Sequence, residues 1–263
     1  MTPRVLIIAG SDSSGGAGIQ ADIKTVTMMG GYAMTAVTAL TAQNTRGVAA
    51  VEAPPPDFVA AQIEACLSDI GADAVKTGMI GSAAQVEAIA EALAGIDAPL
   101  VLDPVMVATS GARLIDEDAL TALRTHLFPR AAVLTPNMDE LAILAGSSIE
   151  TVDDMKAAAQ DLSEELGTAV LAKGGHLSGS ELTDLLVSGT NVSRFTDSRI
   201  DAGEMHGTGC TLASAIAVGL GRGTPLEEAV AEARTFVRAA ISAAPPFGHG
   251  SRPLGHYAVT PAR

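Results

Sequence analysis

The amino-acid sequence predicts an α/β fold in which helices cover both faces of a mostly parallel central sheet. Short apolar runs alternate with amphipathic helical patterns from one end of the chain to the other. This alternation is typical of parallel strands that are joined by helical crossovers. No linker or sequence repeat interrupts the series, so we expect one domain over residues 1–263.

The first half of the chain contains three successive pairs of strand and helix. The buried strand "RVLIIAG" precedes a helix in which Ile19, Ile23 and Val26 share one face and Gly30 is a stop signal. The strand "YAMTAVTALTAQ" precedes the helix "DFVAAQIEACLSDIG", whose apolar spacing makes Cys66 a core residue. The strand "DAVKTG" precedes the helix "SAAQVEAIAEALAG", which begins with a serine and a glutamine at capping-box spacing.

The second half repeats the pattern and ends with a helix. Its strands are "PLVLDP", "AAVLTPN" and "TAVLAKGG", with helices around 117–127, 138–145 and 152–166. The segment "ELTDLLVSGTNVSRFT" predicts a hairpin that turns at 188–191. The last helix is expected to start at Thr224, with Pro225 in its first turn and Glu227 completing a capping box.

Composition excludes several classes of protein. The chain has 48% hydrophobic and 17% charged residues, so it can bury a large core and is not disordered. A net charge of -14 and a pI near 4.6 argue against nucleic acid or an anionic membrane as the main partner, because polyanions favour basic surfaces. Two cysteines cannot form a disulfide framework or a structural zinc site by themselves. We expect a cytoplasmic protein, without a signal peptide or membrane span.

Polar residues follow the predicted strands at the points where these end. In open α/β sheets, ligands bind outside the carboxyl ends of the strands. Carboxylates and a lysine beside a glycine-rich helix N-terminus suit phosphoryl transfer, which needs a cation, positive charge and backbone donors. The residues concerned are Ser11-Asp12, Gln43-Asn44, Lys76-Thr77, Asp103-Pro104, Thr135-Pro136-Asn137, Lys173-Gly174-Gly175 and Glu140.

The segment "MHGTGCTLASAIAVGLG" places Cys210 directly after Gly207-Thr208-Gly209 and before a run that predicts a fully buried helix. A helix N-terminus with flexible glycines can hold an anion, and a thiol in its first turn is expected to ionise more easily. The alternative interpretation is a capping turn with one buried cysteine, which this segment taken alone favours.

Other motifs that use glycine or cysteine fit less well. "GGAGIQAD" matches a loose dinucleotide fingerprint, but residues 32–51 contain no acidic residue to bind a ribose. Neither Lys24-Thr25 nor Lys76-Thr77 has the glycine spacing of a phosphate-binding P-loop. A cysteine hydrolase could pair Cys210 with His206, but no second motif supplies a residue that orients the histidine.

Seven segments in register resemble the bacterial hydroxymethylpyrimidine/phosphomethylpyrimidine kinases of thiamine biosynthesis. They are "AGSDSSGGAGIQADIKT", "TALTAQNTRGV", "VKTGMIGS", "VLDPVMVATSG", "LTPNMDEL", "LAKGGH" and "HGTGCTLASAIA". The resemblance implies a ribokinase-like three-layer α/β/α fold and use of ATP and Mg²⁺ to phosphorylate hydroxymethylpyrimidine and then its monophosphate. It also implies a homodimer. No inserted segment predicts a separate lid domain, so "MVATSGARL" (106–114), with Gly111 as a hinge, is a candidate lid.

The same resemblance implies a catalytic apparatus around the glycine-rich turn. Gly207, Thr208 and Gly209 would form an anion hole for the transferring phosphoryl group. Cys210 would be the base that takes the proton of the substrate hydroxyl. Lys173 would neutralise charge on the ATP phosphates.

Further residues are implied for the metal, the nucleotide and the substrate. Asp103 and Glu140 would bind magnesium, and Asn137, together with Thr208 and Lys173, would serve the nucleotide. Gln43 can both donate and accept hydrogen bonds, which suits an aminopyrimidine edge. The ring pocket would be lined by Gly10, Ala17, Met79 and Val105, although periodicity alone makes Met79 and Val105 core residues. Asp22 would either contact the substrate or occupy an early helical turn.

Three alternative functions remain open on the sequence. A pyridoxal or pyridoxine kinase of the same fold is the nearest to the favoured one. A non-catalytic pyrimidine-binding protein is disfavoured because the chain has all four of the residues that catalysis would use: Lys173, Asp103, Glu140 and Cys210. An oxidoreductase of dinucleotide type is disfavoured by the missing acidic residue.

Overall fold

One nine-stranded sheet forms the centre of the molecule within residues 1–106, 115–175 and 179–259, which the computed structural model describes. Its strands are β1 (Arg4–Asp12), β2 (Tyr32–Asn44), β3 (Gly47–Glu52), β4 (Ala74–Thr77), β5 (Leu100–Leu102), β6 (Ala131–Leu134), β7 (Ala169–Lys173), β8 (Glu181–Ser188) and β9 (Asn191–Ser198). Their spatial order is β3-β2-β1-β4-β5-β6-β7-β8-β9. All pairs from β2 to β7 are parallel, whereas β3, β8 and β9 pair antiparallel at the two edges. The predicted mostly parallel sheet is confirmed.

Helices cover both faces of this sheet and complete three layers. They are α1 (Gly18–Met28), α2 (Pro56–Asp69), α3 (Ala83–Ala92), α4 (Glu117–Ala122), α5 (Met138–Ala145), α6 (Val152–Leu166), α7 (Thr208–Gly221) and α8 (Leu226–Ser242). Apolar residues of α2 to α6 form one core with the sheet, and those of α1, α7 and α8 form a second core on the other face. The two short strands β10 (Met205–His206) and β11 (Arg252–Pro253) pair with each other just before α7.

Burial on both faces explains why the central strands are continuously apolar. In β1, Val5 and Ile7 pack into the core with α1, α7 and α8, whereas Leu6 and Ile8 pack into the opposite core. Since successive side chains of a strand point to opposite faces, a strand between two helical layers needs apolar residues at every position.

Several predicted boundaries are confirmed. The hairpin of β8 and β9 turns between Ser188 and Asn191. Ser82 begins α3 by accepting a hydrogen bond from the backbone N–H of Gln85 at 3.3 Å. The box is incomplete, because the Gln85 side-chain oxygen accepts from Gly81 instead of from Ser82.

Two predicted helices differ from the structure. Thr224 does not cap the last helix, because its N–H bonds to the carbonyl of Gly219 in the preceding turn. Pro225, with ψ of 144°, is extended and precedes the first helical residue, Leu226. The helix predicted over 117–127 is α-helical only to Ala122 and continues as a π turn over Leu123–Leu127.

Between β1 and β4 the chain holds only β2, the edge strand β3 and the helices α1 and α2, so no lid domain is inserted there. Most of the predicted loop lid, residues 107–114 with Gly111, lies outside the described residues. Within the described ranges, every helix is too short or too polar to cross a membrane.

Gly18 offers a test of how α1 is attached to β1. Its φ is +55°, and a Cβ there would collide with the carbonyl oxygen of Gly10, whereas Gly95 has a φ of +81° with open space around it. We expect Gly95→Ala to lower the free energy of unfolding by about 1–2 kcal/mol from backbone strain. Gly18→Ala should cost roughly 1–3 kcal/mol more from the collision. Equilibrium urea denaturation measures both, and equal losses would contradict the close approach.

Candidate active site

The first turn of α7 lies against Lys173 and Asp103 at the carboxyl edge of the sheet. Gly207, just before the helix, has φ of 84°, which glycine adopts at little cost. A Cβ at Gly207 would collide with the carbonyl oxygen of Gly16, and a Cβ at Gly209 would lie 3.3 Å from Nζ of Lys173. The two glycines therefore let the unpaired N–H groups of this helix end approach a lysine, as an anion hole requires.

Lys173 and Asp103 form a nearly buried ion pair at the ends of β7 and β5. Nζ of Lys173 lies 3.0 Å from Oδ1 of Asp103, which also accepts the hydroxyl hydrogen of Thr135 at 2.8 Å. Burial alone would raise the pKa of Asp103, but Lys173 and Lys76 outweigh it and lower that pKa below its ordinary value. Burial opposes the charge of Lys173, yet Asp103 and Glu140 raise its pKa. The site therefore holds a fixed anion beside a fixed cation.

Glu140 lies near this pair, at the start of α5. It forms a capping box with Asn137, whose side-chain oxygen accepts the N–H of Glu140 at 2.9 Å, while Oε2 of Glu140 accepts the N–H of Asn137 at 2.8 Å. The spacing of asparagine and glutamate was a signal for this box that sequence reasoning missed. Burial, with a contribution from Asp103, raises the pKa of Glu140 to about 7 against the opposing charge of Lys173.

These carboxylates fit a magnesium ion better than a transition metal. No group of three or more histidine, cysteine or acidic side chains comes together within the described residues. Mg²⁺ is commonly held by one or two carboxylates, with phosphate oxygens and water completing the octahedron. Asp103 and Glu140 can supply those carboxylates, since their charges already interact across the site.

Cys210 lies in the first turn of α7 and is partly exposed. Burial, together with Asp22 and Asp103, raises the pKa of its thiol to about 11, although Lys76 and the N–H of Gly18 act in the opposite direction. The expectation that this thiol ionises more easily than usual is therefore wrong for the free protein. The helix terminus carries only a partial charge, and the burial of the thiol, with the carboxylates of Asp22 and Asp103, outweighs it.

Beneath Cys210 lies a completely buried ion pair. Nζ of Lys76 contacts both oxygens of Asp22, at 3.0 and 2.9 Å, and Ser214, one helical turn after Cys210, donates to the same carboxylate at 2.7 Å. The carboxylates around Lys76 raise its pKa above the ordinary value despite burial. Because Asp22 is saturated and has no exposed surface, its surroundings do not support the predicted contact with substrate.

The predicted ring pocket residues lie at or just after the carboxyl ends of β1, β4 and β5, and Gly10 and Met79 approach each other closely. A Cβ at Gly10 would lie 3.0 Å from Cε of Met79. Met79, Ala17 and Val105 are all partly exposed, so Met79 and Val105 are not the ordinary core residues that periodicity alone suggests. The main chain of Ala17 donates to Asp12 at 2.8 Å.

Two residues that the sequence analysis named, Asp12 and His206, lie close to Gln43, and this association was not predicted. Nε2 of Gln43 lies 2.9 Å from Nε2 of His206, and that same ring nitrogen lies 3.3 Å from Oδ2 of Asp12. Asp12 also accepts the N–H groups of Ser14 and Gly16 in the following loop. Aspartate followed by serine and glycine is typical of such a turn and could have predicted that the Asp12 side chain accepts hydrogen bonds from this loop. The histidine considered as a partner for Cys210 thus directs Nε2 to Gln43 and Asp12.

Comparison with known proteins identifies the family. The family model described as phosphomethylpyrimidine kinase matches residues 12–255. The chain belongs to this family. It is 47% identical over 260 residues to the hydroxymethylpyrimidine/phosphomethylpyrimidine kinase of Rhizobium meliloti, covering 98% of each chain. It is 49% identical over 253 residues to the thiamine biosynthesis bifunctional protein ThiED of Geobacter sulfurreducens, covering 96% of this chain but only 52% of that protein.

A solved structure supports the same conclusion for the fold of this kinase. The ADP complex of Bacillus subtilis pyridoxal kinase superposes with a TM-score of 0.89 at 35% identity and covers 98% of both chains. The predicted ribokinase-like fold and the phosphotransferase class are therefore confirmed. Lys173, Asp103, Glu140, Gly209 and Cys210 come together as expected, while the roles assigned to them stay predictions.

The buried ion pair of this kinase can be tested by removing one charge. We expect Asp22→Asn to lower the free energy of unfolding by about 3–5 kcal/mol, because the buried Lys76 loses the carboxylate that it contacts directly. Glu165→Gln, which breaks the half-exposed pair with Arg124, should cost far less. Chemical denaturation of both variants gives the comparison, and similar losses would argue against a desolvated lysine.

Proposed function

We propose that this chain transfers the γ-phosphoryl group of ATP to the hydroxymethyl group of an aminopyrimidine, and then to the resulting monophosphate, in thiamine biosynthesis. The observation that carries the proposal is the close approach of the α7 N-terminus to Lys173 and Asp103, where a Cβ at Gly209 would lie only 3.3 Å from Nζ of Lys173. Similarity to relatives named hydroxymethylpyrimidine/phosphomethylpyrimidine kinase across nearly the whole chain supports this choice of substrates.

Each step of the transfer has a side chain or backbone group to serve it. The N–H groups of Gly207, Thr208, Gly209 and Cys210 hold the oxygens of the transferring phosphoryl group. Sγ of Cys210 takes the hydroxyl proton as the new oxygen–phosphorus bond forms and the bond to the β-phosphate oxygen breaks, so ADP leaves. Because the pKa of this thiol is about 11, the base works through the small fraction present as thiolate.

Asp103 and Glu140 would hold Mg²⁺, which when bound neutralises charge on the phosphates. Glu140 must lose its proton to do so, and its pKa near 7 makes that loss easy at neutral pH. Lys173 and Thr208 would bind the ATP phosphates. Asn137 contributes to this side of the site by fixing Glu140 through the capping box.

Gln43 would pair with the amino group and ring nitrogen of the pyrimidine, within a pocket formed by Gly10, Ala17, Met79 and Val105. The cytoplasmic location and the homodimer that the resemblance implies are also part of the proposal.

The proposed function is tested by ADP release from ATP and Mg²⁺ with three acceptors: hydroxymethylpyrimidine, its monophosphate and pyridoxal. We expect turnover with both pyrimidines and a lower kcat/KM with pyridoxal. Preference for pyridoxal would support the other kinase of this fold, which the structural likeness at 35% identity makes the relevant competitor. Pyrimidine binding without ADP release would indicate a non-catalytic binding protein.

The pH dependence of the reaction tests Cys210 as the base. A thiol with a pKa of about 11 is protonated below that pH, so kcat/KM should rise about tenfold per pH unit from pH 8 to 10, above the pKa of Glu140, as thiolate accumulates. Cys210→Asp supplies a carboxylate that is ionised throughout this range, and its profile should be flat. Cys210→Ala should keep the affinity for ATP while kcat falls roughly 10²–10⁴-fold. Unchanged kcat in Cys210→Ala would remove the base assignment.

A further inference from the structure

Side chains from three separate segments form a hydrogen-bonded chain that ends on Gln43. Nε2 of His206 lies 2.9 Å from Nε2 of Gln43 and 3.3 Å from Oδ2 of Asp12. At the other end of the amide, Oε1 of Gln43 lies 3.1 Å from Oγ1 of Thr41, which is 2.9 Å from the carbonyl oxygen of Ser11. The amide of Gln43 therefore has a polar neighbour at each of its two ends.

Asp12 determines whether the Nε2 atom of His206 carries a hydrogen. The Asp12 side chain is buried and accepts hydrogen bonds from the loop that follows it, from Ser14, Gly16 and Ala17. Burial alone would raise the pKa of Asp12, but the hydrogen bonds from His206, Ser14 and Ala17 hold it well below its usual range. An ionised carboxylate can only accept. Nε2 of His206 must therefore carry a hydrogen to bond with it.

That hydrogen decides how the Gln43 amide is turned. With its –NH₂ group toward His206, two donors would meet at 2.9 Å, and the one hydroxyl hydrogen of Thr41 would have to serve both Gln43 and Ser11. Rotation of the amide by 180° exchanges its oxygen and nitrogen in place. The oxygen then accepts the Nε2 hydrogen of His206, which it shares with Oδ2 of Asp12, the –NH₂ group donates to Thr41, and the Thr41 hydroxyl donates to Ser11, so no two donors face each other.

We propose that Asp12 and His206 lock the Gln43 amide with its oxygen toward His206 and its –NH₂ group toward Thr41, and that this lock selects an amino group over a carbonyl on the pyrimidine. The proposal rests on the proposed function, since it takes Gln43 as the residue that pairs with the pyrimidine. The amide keeps one free lone pair and one free hydrogen, which match an amino group beside an unprotonated ring nitrogen.

An oxo analogue of the substrate presents the reverse pattern, a carbonyl beside a ring N–H. The ring cannot turn over to compensate, because its hydroxymethyl group must still reach Cys210. The amide itself would have to rotate and break its bonds to His206 and Thr41. Unpaired polar groups in a binding site reject such analogues strongly.

The test measures kcat/KM for hydroxymethylpyrimidine and for its 4-oxo analogue. We expect the wild-type protein to favour the amino compound by at least about a hundredfold. Thr41→Val and His206→Phe each remove one side of the lock and should reduce this preference about tenfold. Thr41→Ser keeps the hydroxyl and should keep the wild-type ratio. Because His206 adjoins Gly207, KM for ATP in each variant reports any disturbance of the anion hole.

The outcomes separate the lock from a structural role and from the proposed function. Variants that lose activity equally toward both compounds, with an unchanged ratio, would overturn the lock. If His206→Phe fails to fold in a thermal melt, Thr41→Val against Thr41→Ser carries the same comparison. A wild-type protein inactive toward both pyrimidines would refute the proposed function, and the lock with it.

Discussion

The closeness of the α7 N-terminus to Lys173 and Asp103 is the constraint on which the rest of the site depends. At residue 207 the positive φ and the nearby carbonyl oxygen of Gly16 require glycine, and at residue 209 the absence of a Cβ leaves the helix end in close contact with Nζ of Lys173. The fully buried, small-residue surface of α7 allows the helix to pack deeply enough between the sheet and α8 to hold this position. The packing of α7 therefore determines where its N-terminus lies relative to the charges of Lys173 and Asp103.

Positive charge is concentrated at the site although the chain as a whole is strongly acidic. The sequence has a net charge of -14 and only four lysines, yet two of these, Lys76 and Lys173, lie between Asp22, Asp103 and Glu140. Each lysine keeps a raised pKa because carboxylates face it, and each carboxylate avoids a larger desolvation cost because a lysine faces it. A phosphorylated substrate thus meets positive charge inside an acidic envelope.

The fold was predictable because its signals are local. Apolar runs and helical spacing locate strands and helices, and parallel pairing brings the carboxyl ends of β1, β4, β5, β6 and β7 to one edge. That rule placed Asp103 and Lys173 on the same edge of the sheet, but it did not predict that they form an ion pair. It could not reveal the contact between Gln43 and His206, which are 163 residues apart. Nor could it reveal the pKa of Cys210, because the burial of the thiol and its approach to Asp22 and Asp103 arise only when separate elements pack together.

The high pKa of Cys210 also bears on the chemical durability of the protein. Peroxides and alkylating agents attack thiolates, not thiols. With a pKa of about 11, roughly one thiol in ten thousand is ionised at pH 7. A thiol that stays protonated between turnovers reacts slowly with oxidants and resists oxidation to sulfenic acid. The burial that keeps Cys210 protonated, and so limits it as a base, therefore also protects it from oxidation.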